Sequence, residues 1–336
     1  MKICVVGAGA IGGLLAVRLA EAGEHVTVVD QGVHLQAIQR GGLKLIMADG
    51  SEHHAPTLRA VAELRDAGPQ DVVILAVKTQ ILPAIAGQLG HAMHEETVIL
   101  PMQNGLPWWY FRKHGGEFDG RSIECLDPDG TLAANVDVDR IVGCVVFPAG
   151  EIAAPGVIRH TEGNRFPLGE LDGSDSKRAG DLAHMFTNAG FKSFLLDDIR
   201  AEIWLKLLGN LSFNPISALT HATMVDICQY PPSRDLAVAL MEEAQSVANH
   251  LGVSFRVSIE KRIAGAEKVG KHKTSMLQDV EAGRSLELEA IMGAVVELAG
   301  MTGTSTPAID TVYALVQLLD KTMREDRGAV QLLRIA

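Results

Sequence analysis

The chain has 336 residues, of which 47% are hydrophobic and 21% charged, and a formal net charge of −11. This length points to two domains, and the composition to an ordinary globular core. The acidic balance, without a long basic run, argues against nucleic acid or an anionic membrane as partner, and no apolar run reaches the ~18 residues a membrane span requires.

Cys4, Cys125, Cys144 and Cys228 have neither disulfide-framework nor metal-ligand spacing and read as reduced thiols of a cytoplasmic protein. The sequence enters a strand directly, so no signal peptide is expected. His53 with His54, and His91 with His94, lack an accompanying carboxylate or cysteine set, so no metal site is expected.

The opening MKICVVGAGAIGGLLAVRLAEAGEHVTVVD reads as a strand (3–6), a glycine turn, an amphipathic helix and a second strand (26–29). Gly7, Gly9 and Gly12 form G-x-G-x-x-G between a strand and a helix, the context that gives this pattern meaning. Gly7 permits the tight turn, Gly9 lets backbone approach a pyrophosphate, and Gly12 lets helix and strand pack closely. Ala10 and Ile11 complete the turn, so residues 7–12 are the candidate cofactor cradle, facing the phosphates with the helix N-terminus.

Asp30 ends the second strand, where a carboxylate accepts from a ribose 2′-OH and repels a 2′-phosphate. Gln31 follows, and the nearest cation, Arg40, is ten residues on, a pattern that favours NAD(H) over NADP(H). The alternative is an aspartate that caps the next turn.

Continuous apolar strands follow at 71–78 and 97–105, fit for the middle of a parallel sheet. Lys78 and Gln103-Asn104-Gly105 end them on the cofactor side. Segments 140–150, 156–160, 165–171 and 192–198 read as shorter strands at a sheet edge, and about 118–139 as a loop. From Asp198 the pattern becomes helical, with helices from about 199, over 233–251, around 276–300 and over 307–323. The fold class is therefore α/β: a Rossmann-like dinucleotide-binding domain over 1–197, then an all-α domain over 198–336. The active site is expected in the cleft between them.

In WLKLLGNLSFNPISAL, Lys206, Asn210 and Asn214 are four residues apart and share one helix face. One ammonium and two carboxamides in an apolar stretch need partners, because a buried unpaired polar group costs several kcal/mol. A carbonyl under reduction supplies them: hydride transfer puts negative charge on oxygen, and Lys206 can stabilise it and deliver a proton. Apolar surroundings depress a lysine pKa and ease that donation. Alternatively, Lys206 is a surface lysine on an amphipathic helix. Ser275-x-x-Gln278 has the form of a capping box, and a helix N-terminus with a hydroxyl is also a carboxylate site. Glu287 and Glu289 point to different faces, so at most one serves that site. The basic residues Lys268, Lys271, His272 and Lys273 read as a solvated segment or as steering for an anionic substrate.

The chain resembles the ketopantoate reductase (2-dehydropantoate 2-reductase) family. The resemblance rests on GAGAIG, AVK (76–78), QNG (103–105), PGVIRH (155–160), DIRAEIWLKLLGNLSFNPISAL (198–219) and SMLQD…RSLELE (275–289). It implies Lys206 as general acid, with Glu287 orienting the substrate and influencing Lys206. It also implies Asn210 and Asn214 at the substrate hydroxyl or carbonyl groups, Ser275 at its carboxylate, and Lys78 and Asn104 beside cofactor and carbonyl. It further implies NADP(H) as cofactor, a small 2-oxo acid as substrate and a role in pantothenate biosynthesis. A homodimer through the helical domain is expected. Two departures stand out: Gln31 replaces the family's arginine for the 2′-phosphate, and Leu286 replaces the threonine of its T-E-I-D segment. Trp108-Trp109-Tyr110-Phe111, after QNG, reads as core or a helix start, or as a group that reshapes the substrate site. Two other readings stay open: an NAD-dependent dehydrogenase of another small hydroxy acid, and a nucleotide-sensing regulator without turnover.

Overall fold

The computed structural model describes residues 1–332, which form two compact units. The first comprises residues 1–103, 111–122 and 129–199; the second comprises 104–110, 123–128 and the chain from 200 onward.

The first unit opens with β1 (Lys2–Val6), α1 (Ala10–Glu21), β2 (His25–Val29) and α2 (Gly32–Gly41). The strands β3 (Leu43–Ile46), β4 (Glu52–Ala55), β5 (Arg59–Val61), β6 (Gln70–Leu75) and β7 (Met93–Pro101) follow, with the short helix α3 (Leu82–Ala86) before β7. A five-stranded parallel sheet takes the order β5-β2-β1-β6-β7. The chain winds outward from β1 through β2 to β5, then returns to β6 beside β1, so the winding reverses at β1/β6. Ligands of open α/β sheets bind outside the carboxyl ends of strands at such a reversal. The central strands show no exposed face: Ile3 to Val6 and Val72 to Leu75 are all buried, as the lack of alternation in their sequences requires.

Past β7 the unit continues with α4 (Thr131–Asn135), β8 (Val142–Cys144), β9 (Ala149–Ala154), β10 (Val157–Glu162), β11 (Leu168–Glu170) and α5 (Lys177–Asn188). Their sequences suggest short edge strands; segment 140–150 does meet the edge strand β7 in one parallel bridge, Ile141 to Ile99, but the strands themselves pair apart from the main sheet. They build a mixed sheet β4-β3-β10-β9 and a two-stranded ladder β8-β11. Segment 140–150 splits between β8 and β9, and 192–198 makes only isolated bridges, Arg165–Lys192 and Leu168–Leu195. The strand read over 71–78 ends at Leu75, because Gln103 ties the chain beyond it: its amide nitrogen donates to the Leu75 and Val77 carbonyls at 2.7 and 2.8 Å. The loop expected over 118–139 contains α4.

The second unit holds α6 (Ile199–Thr220), α7 (Met224–Gln229), α8 (Pro231–His250), α9 (Ile259–Val269), α10 (Ser275–Glu281), α11 (Ala294–Thr302) and α12 (Pro307–Glu325). A single helix over 276–300 does not form. It breaks after Glu281, where Gly283 takes φ +64°, and resumes through a π-helical turn at Glu289–Gly293. No helix among the described residues is long and apolar enough to cross a membrane.

The start of α5 is fastened to β11 by a buried carboxylate. Glu170 accepts from Arg178 Nε and Nη2 at 2.7 and 2.6 Å and from the Ser176 hydroxyl. Burial pushes the Glu170 carboxyl up, but the hydrogen bonds from Arg178 and Ser176 outweigh it and hold it below 4.5. A depressed carboxylate contributes stability that is complete above its unfolded value and lost as pH falls through the folded one. Glu170→Gln should therefore destabilise the protein by about 1 kcal/mol near neutrality, a modest figure because Arg178 is part-exposed. Denaturation curves should also show a smaller loss of stability below pH 4.5 than in the unsubstituted protein. Equal acid sensitivity would remove Glu170 as the responsible group.

Candidate active site

Each glycine of the first turn has its own reason. Gly7 takes φ +91°, and a Cβ there would lie 2.8 Å from Val77 Cγ1. A Cβ on Gly12 would meet the Gly7 carbonyl oxygen at 1.9 Å, so the turn and α1 touch backbone to backbone. Gly9 differs from both. Its φ of −65° suits any residue, and beyond its immediate chain neighbours no described atom comes within 4 Å of a Cβ placed there. Neither packing nor conformation asks for glycine at position 9, whereas close approach of a diphosphate to the N-terminus of α1 does. The turn at Gly7 and Gly9, with Ala10, Ile11 and Gly12 in the first turn of α1, could thus hold a dinucleotide.

Asp30 is committed to the backbone. Its Oδ2 accepts the Ala8 N–H at 2.7 Å and its Oδ1 the Gln31 N–H at 2.6 Å. The carboxylate therefore accepts the first N–H of the connection into α2 and braces the glycine turn, without capping α2. A carboxylate has about four acceptor positions, so these two bonds leave it capable of receiving a ribose hydroxyl. Gln31 is exposed at the N-cap of α2. Arg40 lies in the last turn of α2 and donates to the Gln36 carbonyl at 3.2 Å. It is therefore roughly 13 Å along the helix from Gln31. Lys78, part-buried, precedes the short 3₁₀ turn Thr79–Ile81 at the carboxyl end of β6.

The second unit brings together residues far apart in sequence. Lys206 Nζ donates to Asn104 Oδ1 at 2.6 Å. Asn104 is held there because the next residue, Gly105 at φ +82°, passes against the π-helical turn. A Cβ on Gly105 would lie 2.1 Å from the Ala290 carbonyl oxygen, which accepts the Leu106 N–H at 2.7 Å. The aromatic run that follows is core: Trp108, Trp109, Tyr110 and Phe111 are all buried. Tyr110 fixes the first turns of α6, accepting Trp204 Nε1–H on its hydroxyl and Arg200 Nε–H on its carbonyl, both at 2.8 Å. Trp204 is two residues before Lys206, so this buried bond sets the height and rotation of the lysine's helix.

Lys206, Asn210 and Asn214 share one face of the 22-residue helix α6. Lys206 and Asn210 are half-buried and Asn214 is buried. Ser275 is not the N-cap of α10. Thr274 is, accepting the Leu277 N–H at 3.2 Å, and Ser275 becomes the first helical residue, exposed and outside the cap. Glu287 does not lie on a helix; it is half-buried in the irregular stretch before the π-helical turn. Glu289 begins that turn and accepts from the Tyr313 hydroxyl at 2.6 Å. In the basic segment, Lys273 pairs with Glu281 at 2.7 Å.

Sequence reasoning missed His34 and the bracing role of Gln103. Buried His34 bonds the Ala8 carbonyl through Nε2 at 2.9 Å. The available signal was its place beside Leu35 and Ile38 on the buried side of α2. Among the described residues, no group of three or more histidine, cysteine, aspartate or glutamate side chains could hold a metal ion. His53 bonds Glu21, and His94 bonds Asp71.

Comparison with known proteins gives the family. Residues 3–173 match the family model for ketopantoate reductase PanE/ApbA, and residues 198–320 match the model for its C-terminal domain. A 2-dehydropantoate 2-reductase of Mesorhizobium japonicum is 48% identical over 95% of this chain and 98% of its own. A solved structure from Ralstonia solanacearum MolK2, described as a ketopantoate reductase, is 38% identical. It superposes with a TM-score of 0.90 over 96% of this chain and 98% of that one. A 2-dehydropantoate 2-reductase structure from Geobacter metallireducens GS-15 is 27% identical, with a TM-score of 0.84 over 95% and 99% of the two chains. The two family models match the α/β part of the chain and its helical part in turn, and the chain belongs to the ketopantoate reductase family of NAD(P)H-dependent oxidoreductases.

Proposed function

We propose that this protein reduces ketopantoate to D-pantoate, with Lys206 as the proton donor. The observation that carries this reading is the Lys206–Asn104 hydrogen bond, which aims one ammonium from a helix face shared with two carboxamides. The nicotinamide, when bound, supplies the hydride. Lys206 balances it: the ammonium stabilises the oxyanion that forms from the carbonyl and passes it a proton, leaving a neutral amine. Asn104 fixes the direction of the ammonium. Asn210 and Asn214, one and two turns further along α6, bind the substrate's oxygen functions. Ser275 receives the carboxylate at the start of α10, and Glu287 orients the substrate and tunes Lys206. Gly7, Gly9, Ala10, Ile11 and Gly12 hold the diphosphate, with Asp30, Gln31 and Lys78 around the rest of the dinucleotide. Four cysteines, none in a disulfide among the described residues, suit a cytoplasmic site of action, and Leu315 and Leu318, exposed on α12, suit a homodimer through the helical unit.

Lys206→Ala should lower kcat by roughly 10²-fold or more, the usual worth of a positioned acid, with little change in dinucleotide affinity. Turnover near that of the unsubstituted enzyme would take Lys206 out of the mechanism.

Ser275→Ala should raise KM for the oxo acid and leave KM for the dinucleotide nearly constant. The reverse split would assign α10 to the wrong ligand.

We propose further that NADH competes at least equally with NADPH. A 2′-phosphate would meet the Asp30 carboxylate, with Arg40 at the far end of α2. Loss of a charge-assisted bond is worth about 1.5–3 kcal/mol, an order of magnitude or more in preference. Because Asp30 also braces the glycine turn, the change to make is Gln31→Arg alone, which should move kcat/KM toward NADPH. A strong NADPH preference in the unsubstituted enzyme would refute the assignment.

A further inference from the structure

We propose that His34 is a positioning residue for the dinucleotide, aiming the Gly9 N–H outward at the diphosphate; the inference rests on the proposed function above. The peptide unit between Ala8 and Gly9 lies at the centre of the glycine turn. Ala8 is completely buried, and side chains from the β2–α2 connection and α2 hold its backbone on both sides: Asp30 accepts its N–H at 2.7 Å, and His34 Nε2 bonds its carbonyl at 2.9 Å. A carbonyl oxygen only accepts, so Nε2 carries the hydrogen.

The other ring nitrogen fixes that tautomer. The Gly156 N–H, in the turn between β9 and β10, donates to His34 Nδ1 at 3.1 Å, so Nδ1 is the unprotonated nitrogen. Gly156 takes φ +76°, and a Cβ there would come within 3.2 Å of Ala37 Cβ, so this turn packs closely on α2. The imidazole is thus a neutral bridge, 8% exposed, with one hydrogen bond on each side.

The consequence follows from peptide geometry. No peptide bond among the described residues is cis, and across a trans peptide the C=O and N–H point in opposite directions. By holding the Ala8 carbonyl inward, His34 turns the Gly9 N–H to the opposite side. On the Gly9 flank no described atom beyond the immediate chain neighbours lies within 4 Å of an added Cβ. An N–H fixed in advance binds phosphate without an ordering cost at the moment of binding. The residue that does this lies 25 positions beyond Gly9, outside the glycine motif.

The test is dinucleotide titration of the full-length protein with NADH and with NADPH, alongside KM for the oxo acid. His34→Leu should weaken dinucleotide binding tenfold or more while KM for the oxo acid moves less than twofold. His34→Gln extends an amide about as far as Nε2, keeps a donor for the Ala8 carbonyl, and should stay within threefold of the unsubstituted protein. His34→Asn can accept from Gly156 but is too short for Ala8. It should therefore lose affinity as His34→Leu does, and it carries the test if the leucine variant does not fold. Unchanged affinity in the asparagine variant overturns the proposal, as does a glutamine variant as weak as the asparagine one. A parallel rise in both KM values does so too. If the unsubstituted protein binds neither dinucleotide, the proposed function itself fails and takes this assignment with it.

Discussion

Backbone lying directly on backbone is the constraint on which both units depend. In the first, the Gly7 carbonyl occupies the space where Gly12 would carry a Cβ, and this contact sets how closely α1 approaches the end of β1. In the second, Gly105 stands against the Ala290 carbonyl, and this contact brings Asn104 to Lys206. No larger residue fits either place without moving main chain, which costs more than a side-chain adjustment because interiors are close-packed. Glycine weakens regular structure by about 1 kcal/mol relative to alanine. Its use at these points marks where proximity matters more than local preference.

Beside the second contact, two polar groups of the aromatic run are paired with α6. Trp204 Nε1 and the Tyr110 hydroxyl satisfy each other in the core, and the Arg200 guanidinium closes the Tyr110 carbonyl. Such bonds add little net stability when made but cost about 1–3 kcal/mol when one partner is lost, so they specify one arrangement and penalise others. Helix α6 also tolerates Pro215 in its interior, which removes a backbone donor and crowds the carbonyl four residues earlier. The helix continues through it, so Asn214, just before the proline, stays in register with Lys206 two turns back. Packing on a largely buried helix overrides local propensity here.

Asp30 illustrates how one side chain takes part in two tasks. The position at the end of β2 suits reading a ribose, yet both carboxylate oxygens accept backbone N–H groups. Specificity for the far end of a dinucleotide and the shape of its phosphate turn are therefore tied to one residue. Gln31, exposed and next in sequence, carries no such double duty.

Much of this protein was legible in its residues because the signals are local. A strand, a spaced glycine set and a helix need only a short stretch of chain to declare a dinucleotide turn, and a four-residue spacing puts Lys206, Asn210 and Asn214 on one face by helix geometry alone. The apolar runs of β1 and β6 likewise announced a sheet buried on both sides. Signals failed where neighbouring side chains are equivalent in sequence or where the deciding contact is remote. Thr274, not Ser275, caps α10, since neighbouring hydroxyls look equivalent until the helix's first turn is in place. The 276–300 helix broke because Gly283 and the π-helical turn answer to packing, and β8–β11 formed separate sheets because strand partners are chosen in space. His34 and Asn104 acquire their partners only when residues 26 and 102 positions away arrive beside them. Periodicity and turn chemistry thus determined the elements and the chemistry they carry; only tertiary structure decided the pairings, because a hydrogen bond between distant residues leaves no trace in the spacing of either one.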